Sequence, residues 1–144
     1  MDKFEIAFIA QETRKGDLIH LIRKYREGIS NHSTLTTRET GLLVRITTGL
    51  NIGFVEAATE GGYLHIARLV NCGDLRMVIF LHDPWLSLKD IGVMELLQAC
   101  NMQNVPFANN VATAEFILHR FFEIADATYL RCPEIRIAAN LVHV

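Results

Sequence analysis

Apolar residues along this chain switch between two spacings. Short runs with almost no polar break alternate with stretches in which apolar positions recur at steps of three and four. The first spacing marks strands buried on both faces, and the second marks amphipathic helices. Phe4 to Ala10 is the first apolar run. Asp17 to Ile29 follows as a helix, with Leu18, Ile22, Tyr25 and Ile29 on one face. Ser33 to Thr36 is a weak β-branched strand, and Thr40 to Thr48 is a helix with Leu42, Leu43 and Ile46 inward and Gly49 as its stop. Then come a strand over Ile52 to Ala57, a helix over Gly61 to Asn71 ending near Gly73, and the clearest strand, Met77 to Leu81, ended by Asp83-Pro84. Ile91 to Cys100 reads as a helix, Val105 to Ala108 as a short strand, and Asn110 to Phe122 as a helix with Asn110 as N-cap. Beyond Ala125 the period blurs, and Tyr129, Leu130, Ile135 and Ile137 are candidates for one more strand.

Strand and helix thus alternate about five times with few residues between them. This order predicts an α/β fold: a three-layer sandwich, a five-stranded parallel sheet with helices on both faces and right-handed crossovers. No internal repeat, low-complexity stretch or linker divides residues 1–144, so a single domain is expected. Such sheets take ligands at the carboxyl ends of their strands, near a reversal of strand order. Candidate site residues therefore lie in Gln11 to Lys15, Thr36 to Gly41, Ala57 to Tyr63, His82 to Asp90, and Asn109 to Thr113.

Composition narrows the function classes. The 144 residues are 50% hydrophobic and 21% charged, enough apolar material for one packed domain and unlike a disordered chain. Fourteen Lys and Arg against sixteen Asp and Glu give a net charge of -2, which lacks the basic excess of a nucleic-acid binder. No apolar run approaches the ~18 residues that a membrane helix needs, so no membrane partner is expected. Acidic residues break the start of the chain at Asp2 and Glu5, unlike a signal peptide, and a cytoplasmic location is expected. Cys72, Cys100 and Cys132 are odd in number and far apart, which suggests buried or half-buried free thiols. Neither a metal nor another cofactor is expected.

Each loop after a strand has a bland reading and a chemical one. Lys15, opening the first helix, suits a phosphate beside helix amides, or belongs to an exposed polar turn. Thr37 and Thr40 make an anion cradle at a helix start, or Thr37 is a cap and Thr40 an ordinary first-turn residue, and Glu39 between them repels a phosphate unless it points away. Gly61 and Gly62 permit close backbone approach, or simply form a turn. Asp83 is a candidate base, or it shapes the turn before Pro84. His65 and His82 are the histidines nearest this edge, and Trp85 lines a pocket or packs on a helix.

Taken together, these segments resemble the methylglyoxal synthase family. The resemblance spans about residues 4–118 and leaves 125–144 unmatched. Its most specific stretches are Val78-Ile79-Phe80-Leu81-His82-Asp83-Pro84 and Asn104-Val105-Pro106-Phe107-Ala108-Asn109-Asn110-Val111-Ala112-Thr113-Ala114-Glu115-Phe116. It implies a metal-free homohexamer that converts dihydroxyacetone phosphate to methylglyoxal and phosphate, a carbon–oxygen lyase. That reaction needs a carboxylate to take the proton beside the carbonyl, donors for the enediolate oxygen, and a cationic cradle for the phosphate. By similarity Lys15, Thr37 and Thr40 keep the cradle, and Asp83 keeps a family aspartate.

The departures weigh as much. A His-Asp pair becomes Gln11-Glu12, and a Thr-Gly-Thr-Thr-Gly loop becomes Thr37-Arg38-Glu39-Thr40-Gly41. The base aspartate falls on Tyr63 and a phosphate-binding serine on Ala57. The essential histidine falls near Lys89 and a second aspartate near Gly92, while Arg131 and Arg136 are the candidates for a late phosphate-binding arginine. The leading expectation is a non-catalytic domain that binds a small phosphorylated or anionic metabolite in a regulatory or sensing role. The first alternative is a divergent methylglyoxal synthase, using Asp83, Glu12 or Asp90. The second is an oligomeric scaffold with a vestigial pocket.

Overall fold

The computed structural model describes residues 4–85 and 90–131, with the side chains of 126–131 excepted. Five parallel strands lie in the order β3-β2-β1-β4-β5. They are β1 (Ile6–Ala10), β2 (Thr34–Thr37), β3 (Gly53–Val55), β4 (Met77–Leu81) and β5 (Phe107–Ala108). Every residue of β1 and β4 is buried, because helices cover both faces of the sheet. Ile6, Phe8 and Ala10 of β1 share a face with Met77, Ile79 and Leu81 of β4. That face packs against α1 (Lys15–Lys24), α2 (Arg26–Ser30), α3 (Arg38–Thr48) and α6 (Val111–Arg131). Ala7, Ile9, Leu35, Val78 and Phe80 point the other way, under α4 (Gly62–Asn71) and α5 (Ile91–Gln103). The expected three-layer α/β sandwich is therefore the observed fold.

Local differences have identifiable causes. The first helix breaks at Tyr25 (φ -108°, ψ 22°), and Gly28 then lets α2 lean on α6, since a Cβ there would stand 2.8 Å from the Phe122 ring. On α3 the inward face is Thr40, Gly41, Val44 and Thr48, whereas Leu42 and Ile46 are exposed and Leu43 is half-buried. Gly41 sets that rotation, because its bare Cα admits the Phe54 side chain where a Cβ would stand 2.9 Å away. Helix α5 runs on to Gln103 and closes at Asn104, a left-handed residue with φ 55°. Helix α6 continues to Arg131, so Tyr129 and Leu130 belong to a helix and not to a strand; no Gly or Pro interrupts it before Pro133. Ile135, Ile137 and Cys132 lie outside the described residues. Cys100 is buried, but Cys72 is exposed, because it falls on the C-cap of α4, beyond the last buried turn. Among the described residues no helix is long and apolar enough to cross a membrane.

Candidate functional site

Strands β1, β2 and β3 each end on the same edge of the sheet and lead into α1, α3 and α4. The first turns of these helices meet around a cavity of about 330 Å³, lined by Ala10, Gln11, Glu12, Lys15, Thr37, Glu39, Thr40, Ala58, Thr59 and Tyr63. Three helix starts bring amide donors and the positive ends of their dipoles to one place. Thr37 occupies the N-cap position of α3 in an extended conformation, yet its hydroxyl makes no capping bond. It lines the cavity instead, next to Thr40, which is only 1% exposed.

The glycine pair builds the third wall. Gly61 takes φ +90°, a backbone conformation that L side chains rarely adopt. Gly62 donates its N–H to the Ala57 carbonyl at 3.0 Å, and a Cβ on it would stand 2.3 Å from the Glu56 carbonyl oxygen. The same Cβ would stand 3.1 Å from Thr37 Cγ2, so the glycine lets the start of α4 rest on the end of β2.

Lys15 and Tyr63 carry the chemistry of the lining. The Lys15 ammonium lies 2.8 Å from a Glu12 oxygen, with the lysine side chain mostly buried and the glutamate exposed. Tyr63 is buried with its ring 5.2 Å from that of Phe80. Burial, helped by the nearby carboxylates of Asp90 and Glu39, pushes its phenol up to about 12. At neutral pH the phenol is a proton donor and not a base.

Asp83 does not line the cavity. Thr13 donates its hydroxyl to one carboxylate oxygen at 2.6 Å, and the Trp85 N–H donates to the other at 2.8 Å. The Thr13 bond, followed by that from Trp85, holds the carboxyl below its ordinary range. The Asp83 N–H donates to Gln11 Oε1 at 2.7 Å, and the Gln11 N–H to the Leu81 carbonyl at 3.1 Å. These bonds stitch β1 to β4 where the strand order reverses, and the open space lies on the β1–β2–β3 side.

Of the residues singled out from sequence, Lys15, Thr37, Thr40 and Tyr63 come together, and Gly61 and Gly62 shape their loop. Gly92 lies behind Tyr63 and not on the cavity. Asn109 to Thr113 stands apart from the lining, with Asn110 capping α6 by accepting from the Thr113 N–H at 2.9 Å. His65 is paired with Glu56 at 2.9 Å, and Trp85 is 92% exposed and not packed on a helix. Lys89, Arg136 and the side chain of Arg131 lie outside the described residues. Gln11, Glu39 and Thr59 lie within segments that the sequence points to, though none of the three is singled out there as a binding residue, and Glu12 enters there only as an alternative base. No three His, Cys, Asp or Glu side chains gather as a metal site among the described residues.

No family model matches the chain. Individual proteins do. The methylglyoxal synthase of Bacillus subtilis is 32% identical over 120 residues, 83% of this chain and 88% of that one. The methylglyoxal synthase of Bacillus cereus is 33% identical over 126 residues, 87% of this chain and 95% of that one. The crystal structure of methylglyoxal synthase from Elizabethkingia anophelis superposes with a TM-score of 0.73 at 27% identity, over 81% of this chain and 77% of that one. By sequence and by fold, this chain belongs to the methylglyoxal synthase family.

Proposed function

We propose that this chain binds a small phosphorylated metabolite in the cavity between β1, β2 and β3, and that it does so without the proton abstraction performed in its family. One observation carries the binding: three helix starts, Lys15 and the hydroxyls of Thr37 and Thr40 surround one cavity. The loss of abstraction rests on Tyr63, a buried phenol with its proton held, where the resemblance places a carboxylate base. A positioned base is worth about 10²–10⁴-fold in rate. Binding without turnover fits a regulatory or sensing role, exerted on an oligomer or a partner.

The second reading is a divergent methylglyoxal synthase. The curated relatives favour it, because those with that name match most of both chains. Glu12 supports it in the site, as a carboxylate on the cavity wall where the resemblance places an aspartate. In this reading Glu12 takes the proton beside the carbonyl of dihydroxyacetone phosphate, and Lys15 and the hydroxyls hold the phosphate until it leaves.

The two readings share a ligand class and differ in turnover. Purified protein is therefore assayed for a thermal shift with dihydroxyacetone phosphate and inorganic phosphate, and for methylglyoxal release above a buffer blank. A shift without release supports the first reading. Release that disappears with Glu12→Gln establishes the second. Neither shift nor release removes both and leaves the scaffold, for which the persistence of an oligomer in Lys15→Ala/Thr40→Ala is the test.

A further inference from the structure

We propose that the cavity takes a phosphorylated metabolite that also bears a basic amino group, a phosphorylated amino alcohol or amino sugar, with Glu39 receiving the ammonium. This deepens the proposed function and rests on it. Among the described residues the lining holds one cation, Lys15, and two carboxylates, Glu12 and Glu39. Glu12 is already engaged by Lys15 at 2.8 Å. Glu39 has no ion pair among the described residues, and it stands in the first turn of α3, on the wall that carries Thr37 and Thr40. Its carboxylate is close enough to Tyr63 to help keep that phenol protonated.

A phosphate held by Lys15 and the threonines lies beside this exposed carboxylate on one lining, with no positive charge between them among the described residues. An ammonium on the same ligand supplies that charge, and its three N–H donors suit Glu39 and the Thr59 hydroxyl on the same lining. An acid in a first turn also favours the helix dipole. That effect does not explain why this acid lines the cavity, or why a second carboxylate engages Lys15, the one cation of the lining among the described residues. A divalent cation is the other way to join phosphate to carboxylate, but it takes six or more oxygen ligands. No cluster of three acidic, His or Cys side chains exists among the described residues.

The test is calorimetric titration with matched pairs at mildly acid pH: phosphoethanolamine against glycerol 3-phosphate, and glucosamine 6-phosphate against glucose 6-phosphate. The amine-bearing member of at least one pair is expected to bind about tenfold more tightly. Glu39→Gln should erase that difference, while Lys15→Ala weakens both members alike. Equal affinities in both pairs, or a preference that survives Glu39→Gln, overturn the inference and leave the phosphate site standing. Binding of neither pair nor of inorganic phosphate overturns the proposed function, and the inference with it.

Discussion

Gly92 lies directly against Tyr63: a Cβ on the glycine would stand 3.0 Å from Tyr63 Cβ and 3.1 Å from an Asp90 carboxylate oxygen. The two positions at which the family resemblance places aspartates therefore share one volume, and the phenol ring side occupies it. A ring gained at one position and a side chain lost at the other are a single packing change. Gly92→Asp alone therefore collides with Tyr63 and Asp90 before any chemistry is tested.

Gly92→Ala should lower stability by about 1–2 kcal/mol in urea denaturation. Overpacking against an anchored Cβ costs about 1–3 kcal/mol, and the better helix propensity of alanine returns up to about 1. Tyr63→Gly/Gly92→Ala should be more stable than the sum of the single changes by about 1 kcal/mol, since the glycine removes the Tyr63 Cβ that the new methyl meets. Strict additivity would mean that the two sites do not share space.

Gly62→Ala should be the more damaging change in the glycine pair, costing at least about 2 kcal/mol and abolishing ligand-induced thermal shifts. Its Cβ meets two backbone carbonyls, Glu56 O at 2.3 Å and Ala57 O at 3.0 Å, which cannot yield as a side chain would. Gly61→Ala meets no atom within 4 Å but must hold φ +90°, a strain of about 1–2 kcal/mol. Thermal melts of the two variants check the order.

The parallel sheet and its strand-to-helix edge were legible because β1 and β4 are unbroken apolar runs and each helix follows its strand within a few residues. The inward face of α3 was not legible. Leu42 and Ile46 have the apolar character of a core, yet Gly41 lets Phe54 approach and turns Thr40 and Thr48 inward. Lys15, Thr37 and Thr40 were legible as neighbours on that edge, since each stands in the first turn of a helix or at its cap after a strand. Asp83 was ambiguous, because an aspartate before proline at a strand end serves a turn as well as a reaction. Only its partners, the Thr13 hydroxyl and the Trp85 N–H, show both carboxylate oxygens engaged.

Asp83 gives a pH dependence with a definite sign. Its carboxyl is held below the ordinary value by Thr13 and Trp85. A depressed carboxylate stabilises the fold above its unfolded pKa, near 4, and that contribution is lost as pH falls through the folded value. Asp83→Asn should melt below the wild type at neutral pH, and the gap should close below about pH 4. Thr13→Val should behave alike. A gap unchanged down to the acid transition would mean that the carboxylate's charge plays no part in this stitch.

Tyr63 should ionise well above an ordinary tyrosine. Burial, with Asp90 and Glu39 nearby, raises its phenol to about 12. Ultraviolet titration of the wild type against Tyr63→Phe isolates that step. Because the phenol stays protonated, Tyr63→Phe should weaken a bound phosphorylated ligand by one neutral hydrogen bond, about 0.5–1.5 kcal/mol, with no change in pH profile between neutrality and pH ~9. Ionisation near the free value of about 10 would mean that the ring is solvated.

Glu12 separates binding from catalysis, because one substitution moves the two in opposite directions. Its carboxylate neutralises Lys15 at 2.8 Å on the cavity wall, so an incoming phosphate must compete with it. Glu12→Gln removes that competitor and keeps the side chain's length. Inorganic phosphate and dihydroxyacetone phosphate should then bind more tightly, and a gain of about 0.5–1 kcal/mol, typical of a partly exposed ion pair, corresponds to roughly 2–5-fold. If the chain is only a binder, that gain is the whole effect. If Glu12 is the base of a divergent synthase, methylglyoxal release should fall by about 10²–10⁴-fold while affinity rises. A loss of affinity on Glu12→Gln would mean that the glutamate orients Lys15 toward the ligand and does not compete with it. Lys15→Ala, which removes the cation itself, must weaken phosphate binding under either outcome. It is therefore the control that shows the titrated site to be this one.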